Sequence, residues 1–347
     1  MKRIRFIQFI VGITVVFIGF TAFQIPHFTD ETVDTWNEEV ETMTTTETNE
    51  EIIEKIKQAK AEFDELPIDA VIDPVWKGIP GYNGRVVDVE ASLKNMEDEE
   101  RYIEELLVFD EVAPEIGMAD LDVTPFYKAH PNKPQVAFLI NVAWGNEHLP
   151  EIINKLNEHD VKATFFLDGS WTKSQPRLAR MIQEEGHEIG NHAYNHPDMA
   201  TLSEEEIKDQ LERTNNMIEA TLDVTPTWFT PPSGSFNDKV VEIASDMGMY
   251  TVLWTVDTID WQNPSTDTMV ERVVTNIHPG ATVLMHPTKP TAEGIDEMIV
   301  QIREQGLEIA PVSSVMSEQR ATGPQIESVE EGEHWFNAKH YRTAFES

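Results

Sequence analysis

From Pro134 onward the chain alternates short apolar runs with stretches whose apolar residues recur at helical spacing, and this pattern constrains the fold more than any other feature. The runs occupy residues 136–142, 163–167, 187–190, 227–230, 251–254, 282–285 and 307–311, each the length of a buried strand. Between them, residues 149–158, 175–184, 203–222, 237–247, 267–277 and 292–305 read as amphipathic helices. Ser203 with Glu206 three residues later gives the third a capping signature, and Asp267 opens the fifth. Strand and helix in alternation make an α/β domain with a parallel sheet. Seven strands in this order predict an incomplete (β/α) barrel, because the polar candidates fall at strand exits, where such barrels hold their sites.

The remainder of the chain reads as extensions of that domain, which spans residues 131–318. Residues 1–29 open on Met1-Lys-Arg-Ile-Arg5 and continue with an uncharged, mostly apolar run, 6–23, long enough to cross a bilayer as a helix. Basic flanks stay cytoplasmic, so the expectation is a single-pass membrane anchor with the rest outside. Secretion after signal cleavage is the alternative, but residues 20–26 lack a clean pair of small residues for cleavage. Residues 30–66 form an acidic tether with a Thr-rich patch at 42–48, and 49–66 could be a helix with Ile52, Ile53, Ile56 and Phe63 as its apolar stripe. Residues 67–130 read as a small α+β module, with turn signals in Ile79-Pro-Gly-Tyr-Asn-Gly84, an alternating stretch at 85–90 and a charged helix-like segment near 96–107. Residues 319–347 are an acidic tail, sparse in apolar side chains until Trp335-Phe336.

With 62 acidic against 26 basic residues the formal charge is −36, which argues against nucleic acid or an anionic membrane face as partner of the exported part and suits a neutral polymer. Salt screens such self-repulsion, so a saline habitat fits the composition. There is no cysteine, hence no disulfide and no thiolate metal site; any metal must take nitrogen and oxygen ligands.

Four polar motifs sit at strand exits. His192-Ala-Tyr-Asn-His196 follows the run at 187–190, and two imidazoles four residues apart can converge on one metal ion. Downstream stand Thr230-Pro-Pro-Ser-Gly234, Asp257-Thr-Ile-Asp-Trp261 and Leu284-Met-His286.

In order and spacing these motifs resemble the polysaccharide deacetylase family, the NodB-homology carbohydrate esterases, over residues 133–316. The segment Asp73-Pro-Val-Trp-Lys-Gly-Ile-Pro-Gly-Tyr-Asn-Gly84 resembles its sporulation-associated, YlxY-like subgroup. The resemblance implies a distorted (β/α)7 barrel and metal-assisted removal of N-acetyl groups from a GlcNAc polymer such as peptidoglycan. It also implies roles. His286 matches the general acid, Asp260 the carboxylate that keeps it protonated, with Asp257 opening the same motif; Trp261 and Leu284 match the walls that seat the sugar, with Pro231, Pro232 and Trp144 beside them. His192 and His196 match the metal-binding imidazoles.

The other half of the family's machinery is replaced. Its first strand ends in Thr-Phe-Asp-Asp-Gly, general base then metal ligand, where this chain has Leu139-Ile-Asn-Val-Ala143. Asn141 has no basic oxygen to accept a proton from water and Val142 cannot ligate. Thr230 stands where the family has the arginine that pairs with the base. Losing the carboxylate and its cation together is coherent, since either charge alone in a cleft is costly. Asp168, at the end of the neighbouring strand, is the leading candidate for a substitute ligand, although it could equally cap the following helix; Glu147 and Asp198 are weaker candidates. Trp144 and Tyr194 are candidates to line the groove. The expectation is an envelope deacetylase-like protein with an altered site, holding zinc or a similar divalent metal weakly or not at all. The alternative is a non-catalytic glycan-binding protein on the same fold.

Overall fold

The structure, a computed structural model, describes residues 47–321. The anchor read at 6–23, the start of the tether and the tail beyond 321 lie outside the described residues, among which no helix is long and apolar enough to cross a membrane.

The first elements are α1 (Asn49–Phe63), the strands β1 (Val71–Asp73), β2 (Lys77–Ile79) and β3 (Gly84–Asp88), then α2 (Val89–Met96) and β4 (Val108–Val112). A reciprocal capping box between Thr48 and Glu51 starts α1, whose Ile52, Ile56 and Ala59 are buried. Ile52 and Ile56 pack with Val87 of β3 and Met96 of α2 over the antiparallel β3–β4 pair. The helix anticipated near 96–107 instead ends at Met96, having begun at an Asp88 cap whose side chain accepts the Ala91 amide. Glu97-Asp98-Glu99-Glu100 follows, where like charges one helical turn apart would repel.

The main domain runs β5 (Gln135–Val142), α3 (Leu149–Glu158), β6 (Thr164–Leu167), α4 (Gly169–Ser174), α5 (Pro176–Glu184), β7 (Glu188–Asn191), α6 (Glu204–Leu222), β8 (Trp228–Phe229) and α7 (Asp238–Asp246). It continues through β9 (Tyr250–Thr251), β10 (Val256–Asp257), α8 (Thr266–Asn276), β11 (Thr282–Met285), α9 (Lys289–Glu304), β12 (Glu308–Ile309) and α10 (Val312–Met316). All its pairings are parallel, in the order β10-β11-β5-β6-β7-β8-β9, with β12 also pairing β5. β9 and β10 stand at opposite ends of that order, yet only Val252 to Thr255 separates them. A link of five Cα steps reaches less than about 18 Å, so the sheet must curl until its ends approach.

The single strand expected at 251–254 is therefore a corner between two strands. The cause is Phe126, whose amide donates to the Thr251 carbonyl at 2.9 Å and whose carbonyl accepts from Leu253 at 2.8 Å, so the incoming chain takes the ladder bonds that would have prolonged β9. Asp267, expected to cap α8, lies inside its first turn; the cap is Ser265, which accepts the Thr268 amide.

β5 is buried on both faces, and its period of two separates two cores. Val136, Phe138, Ile140 and Val142 join the cluster that includes Leu149 and Ile152 of α3 and Ile295 and Met298 of α9, while Ala137 and Leu139 join Phe126, Phe166 and Trp228 on the other side. Asn141 shares the parity of Ala137 and Leu139, so it faces the concave side at the strand's exit.

Candidate functional site

Every candidate side chain leaves the carboxyl end of a strand. Asn141 closes β5, Asp168 follows β6, His192 follows β7, Thr230 follows β8, Asp257 closes β10 and His286 follows β11. The His192 to His196 loop turns through left-handed backbone at Ala193 (φ 57°) and His196 (φ 54°), which brings the two imidazoles to a centroid separation of 5.3 Å. Left-handed Ala and His cost roughly 1–3 kcal/mol each, so neighbouring structure must hold this loop. The Asn191 side chain does so by accepting the Ala193 amide at 2.8 Å and donating to Asn215 and the Leu211 carbonyl of α6.

His192 is buried, and its Nδ1–H donates to the Thr230 carbonyl at 2.7 Å. That bond selects the tautomer with a bare Nε2, the form a metal requires. Burial, then the positive form of His196, push its pKa down to about 3; the Thr230 bond opposes this and His286 adds to it. His196 is exposed.

On the opposite wall His286 donates through Nδ1 to Asp260 Oδ1 at 2.8 Å and through its amide to Oδ2 at 2.7 Å. Thr288 and Thr291 donate their hydroxyls to the same Oδ2 at 3.1 and 2.8 Å. Asp260 has 1% of its surface exposed. Burial alone would raise its carboxyl, but the bonds from His286 and Thr291 and the imidazolium charge outweigh it and hold the group below 3.8. Replacing Asp260 by Asn would aim an amide at three of these donors, and we expect a loss of about 3 kcal/mol in urea unfolding. An unchanged midpoint would mean that the four bonds are not formed in solution.

The loop after β5 lays Trp144 on His286, with ring centroids 5.8 Å apart and planes within 12°. Gly145 makes this possible: its φ is +81°, and a Cβ there would lie 1.9 Å from the Pro287 carbonyl oxygen. Trp144 and Trp261 are about half exposed, at 46% and 55%, while Leu284, Pro231 and Pro232 are buried beneath the groove. Tyr194 lies under the guanidinium of Arg213 at 3.7 Å, so its ring is already covered.

A cavity of about 310 Å³ is lined by Ala143, Trp144, Asp168, Ser170, Asn195 and His196. Asp168 caps α4: its Oδ1 accepts the Ser170 hydroxyl at 2.6 Å and the Trp171 amide at 2.8 Å. Burial pushes its carboxyl up, against those bonds and the positive form of His196. Asp257, whose Oδ1 accepts the Ile259 amide at 2.8 Å, is also pushed up by burial; that bond and His286 oppose the rise. Asp198 is occupied by the Ser235 hydroxyl, and Glu147 is exposed beside His148.

The donor set does not suit a divalent metal. Val142 is fully buried in the apolar cluster, the Asp168 carboxylate is partly committed to its helix, and among the described residues no three His, Asp or Glu side chains are arranged to hold an ion. Asn141 is 3% exposed, and its Oδ1 finds no hydrogen-bond partner among the described residues.

Sequence reasoning missed Thr288 and Thr291, which clamp Asp260, and Ser170 and Asn195 in the cavity wall. The first was legible as a cap before Lys289-Pro290; the others carry no signal until the loops are folded.

The polysaccharide deacetylase family profile matches residues 128–252. YlxY of Bacillus subtilis (strain 168) is 45% identical over 316 residues, spanning 91% of this chain and 98% of that one. The chain belongs to the polysaccharide deacetylase family. Within this family it is similar to a peptidoglycan-N-acetylglucosamine deacetylase of Bacillus cereus (strain ATCC 14579), 33% identical over 189 residues, 53% of this chain and 69% of that protein. A CE4 family pseudoenzyme from Bacillus anthracis is 50% identical, with a TM-score of 0.74 over 78% of this chain and 96% of that structure. A mutant of that pseudoenzyme with restored enzymatic activity is 49% identical, also with a TM-score of 0.74, over 78% and 99%.

Proposed function

We propose that this polysaccharide deacetylase relative binds an amino-sugar polymer of the cell envelope, peptidoglycan being the leading candidate, and does not hydrolyse it at an enzyme's rate. In this reading the curled sheet is a distorted (β/α)7 barrel, and the apolar run at 6–23 tethers it to the membrane. The observation that carries the proposal is the end of β5, where Asn141 holds an unpartnered oxygen and Val142 is packed among aliphatic side chains.

Loss of a general base alone costs about 10²–10⁴-fold in rate. Losing a metal ligand as well removes the means of ionising water near neutral pH. What remains is suited to holding sugar: of two half-exposed indoles, Trp144 stacks on His286 and Trp261 follows Asp260 in the chain. The pseudoenzyme from Bacillus anthracis supports the non-hydrolytic reading, and the deacetylase from Bacillus cereus supports the polymer. A slow hydrolase is the second reading, favoured by the intact 2.8 Å bond between His286 and Asp260.

Acetate release from N-acetylglucosamine oligomers and peptidoglycan fragments should stay at the blank with zinc present. Trp144→Ala and Trp261→Ala should each weaken binding of the same fragments by several-fold, on the order of 1 kcal/mol. Zinc-dependent acetate release that His192→Ala abolishes would overturn the proposal.

A further inference from the structure

Thr230 replaces the arginine that the resemblance places in this cleft, while the buried carboxylate of Asp168 remains. Building on the glycan-binding reading, we propose that the cavity beside His196 takes the protonated free amine of a de-N-acetylated amino sugar, a glucosamine unit of the polymer. The ligand of this site is then the chemical product of the reaction that its relatives catalyse.

The argument begins with Asp168. It is 2% exposed and lines the cavity; the Ser170 hydroxyl and the Trp171 amide bind its Oδ1, the Ser170 amide also favours the carboxylate, and among the described residues Oδ2 takes no side-chain hydrogen bond. No lysine or arginine among the described residues lies within ion-pair distance of it. A largely buried carboxylate that faces only the His196 imidazole is costly, and a cationic ligand is the partner that relieves it.

Besides the exposed His196 imidazole that shares the cavity wall, the surroundings offer little positive charge. Thr230 stands where the family carries its arginine, and its hydroxyl donates to the Val252 carbonyl. The buried His192 ring is committed through its Nδ1–H to the Thr230 carbonyl at 2.7 Å. His286 is held by Asp260 at 2.8 Å, and Asp257 adds another carboxylate near it. Among the residues that line the cavity, Asp168 is the one carboxylate, with the His196 imidazole beside it. An N-acetyl group would bring it a neutral amide and a methyl, whereas an ammonium brings three donors and a charge.

The other walls fit that group. Ser170 and Asn195 supply hydroxyl and amide oxygens as further acceptors, and the half-exposed Trp144 indole offers a face to the sugar ring and to the cation. The net charge of −36 steers a polycation towards the molecule but does not by itself select the cavity.

The test is tryptophan-fluorescence titration of the full chain with two tetramers, all-glucosamine and all-N-acetylglucosamine, near pH 6, where the amine is protonated. The glucosamine tetramer should bind about tenfold tighter. Asp168→Asn should bring that ratio close to one; asparagine is also a good helix cap, so α4 is preserved, and circular dichroism checks the fold. Glu54→Gln, exposed on α1, should leave the ratio unchanged and controls for diffuse attraction.

A ratio of one or below in the parent protein overturns the proposal, and so does a preference that survives Asp168→Asn. If only the acetylated tetramer binds, the glycan-binding reading stands and this one fails. If neither binds, both fail.

Discussion

The triple variant Asn141→Asp, Val142→Asp, Thr230→Arg should bind one zinc per chain and release acetate from N-acetylglucosamine oligomers at least about a hundredfold faster than the parent. The three changes are predicted to work only together. Asn141 faces the concave side of β5 with 3% of its surface exposed, so a carboxylate there needs a cation, and Thr230 at the exit of β8 is where the family supplies one. Val142 has no exposed surface, so Val142→Asp alone places an uncompensated carboxylate among aliphatic side chains and should cost about 3 kcal/mol or more. Zinc should return part of that loss by drawing residue 142, which faces the helices here, round towards His192, because a ligand that binds only the folded state stabilises it. His192 is prepared for this, its Nδ1–H fixed on the Thr230 carbonyl and its Nε2 bare. Melting curves with and without zinc, metal analysis and acetate release check the three parts. Zinc bound without acetate would show that the acid wall has been re-purposed, the indole of Trp144 lying over His286 being the first suspect.

Much of the architecture was legible because buried strands and amphipathic helices leave periodic signals that survive without a structure. What was not legible depended on contacts distant in sequence. β10 was hidden inside one apolar stretch because only Phe126, more than a hundred residues upstream, breaks the ladder there. Asp267 has the chemistry of a cap, but Ser265 two residues earlier takes the role, a distinction that resides in local backbone angles.

The site divides in the same way. The motifs singled out His192, His196, Asp260 and His286, and each of them follows a strand of the parallel sheet. The stacking of Trp144 on His286 needed the close approach of Gly145 to Pro287, which no pattern encodes. Asp168 had two readings in sequence, cap and ligand. Its two oxygens separate them: Oδ1 caps α4, while the carboxylate also lines the cavity.

Stability should fall steeply as pH drops from about 6.5 towards 4, and the cause is a set of histidines held neutral by burial. His130, His187 and His192 are 8%, 5% and 1% exposed, and burial first of all pushes their pKa values from 6.5 to about 4, 4 and 3. Lys128 adds to the shift of His130, and Lys162 to that of His187. A depressed histidine pKa means that the unfolded chain takes up a proton below about 6.5 while the folded chain refuses it, so each residue withdraws up to about 1.4 kcal/mol per pH unit across that window. Three together approach 4 kcal/mol per unit, a large fraction of the 5–15 kcal/mol typical of a folded protein. Asp260 extends the loss: its carboxyl is held below 3.8, so its contribution is complete above that value and disappears as pH falls further. Relief of self-repulsion as other carboxylates are neutralised works the opposite way, and high salt removes that contribution without touching the buried imidazoles. Urea unfolding at about pH 7, 5.5 and 4.5 in high salt therefore reads the histidines against only the buried carboxyls of Asp168 and Asp257, which burial raises and which act in the opposite direction. His187→Leu is the sharpest variant, since Nδ1 accepts only the Ala163 amide at 3.3 Å and the buried Nε2 has no partner among the described residues. It should flatten the slope of stability against pH by about one proton, and an unaltered slope would place the acid sensitivity elsewhere in the molecule.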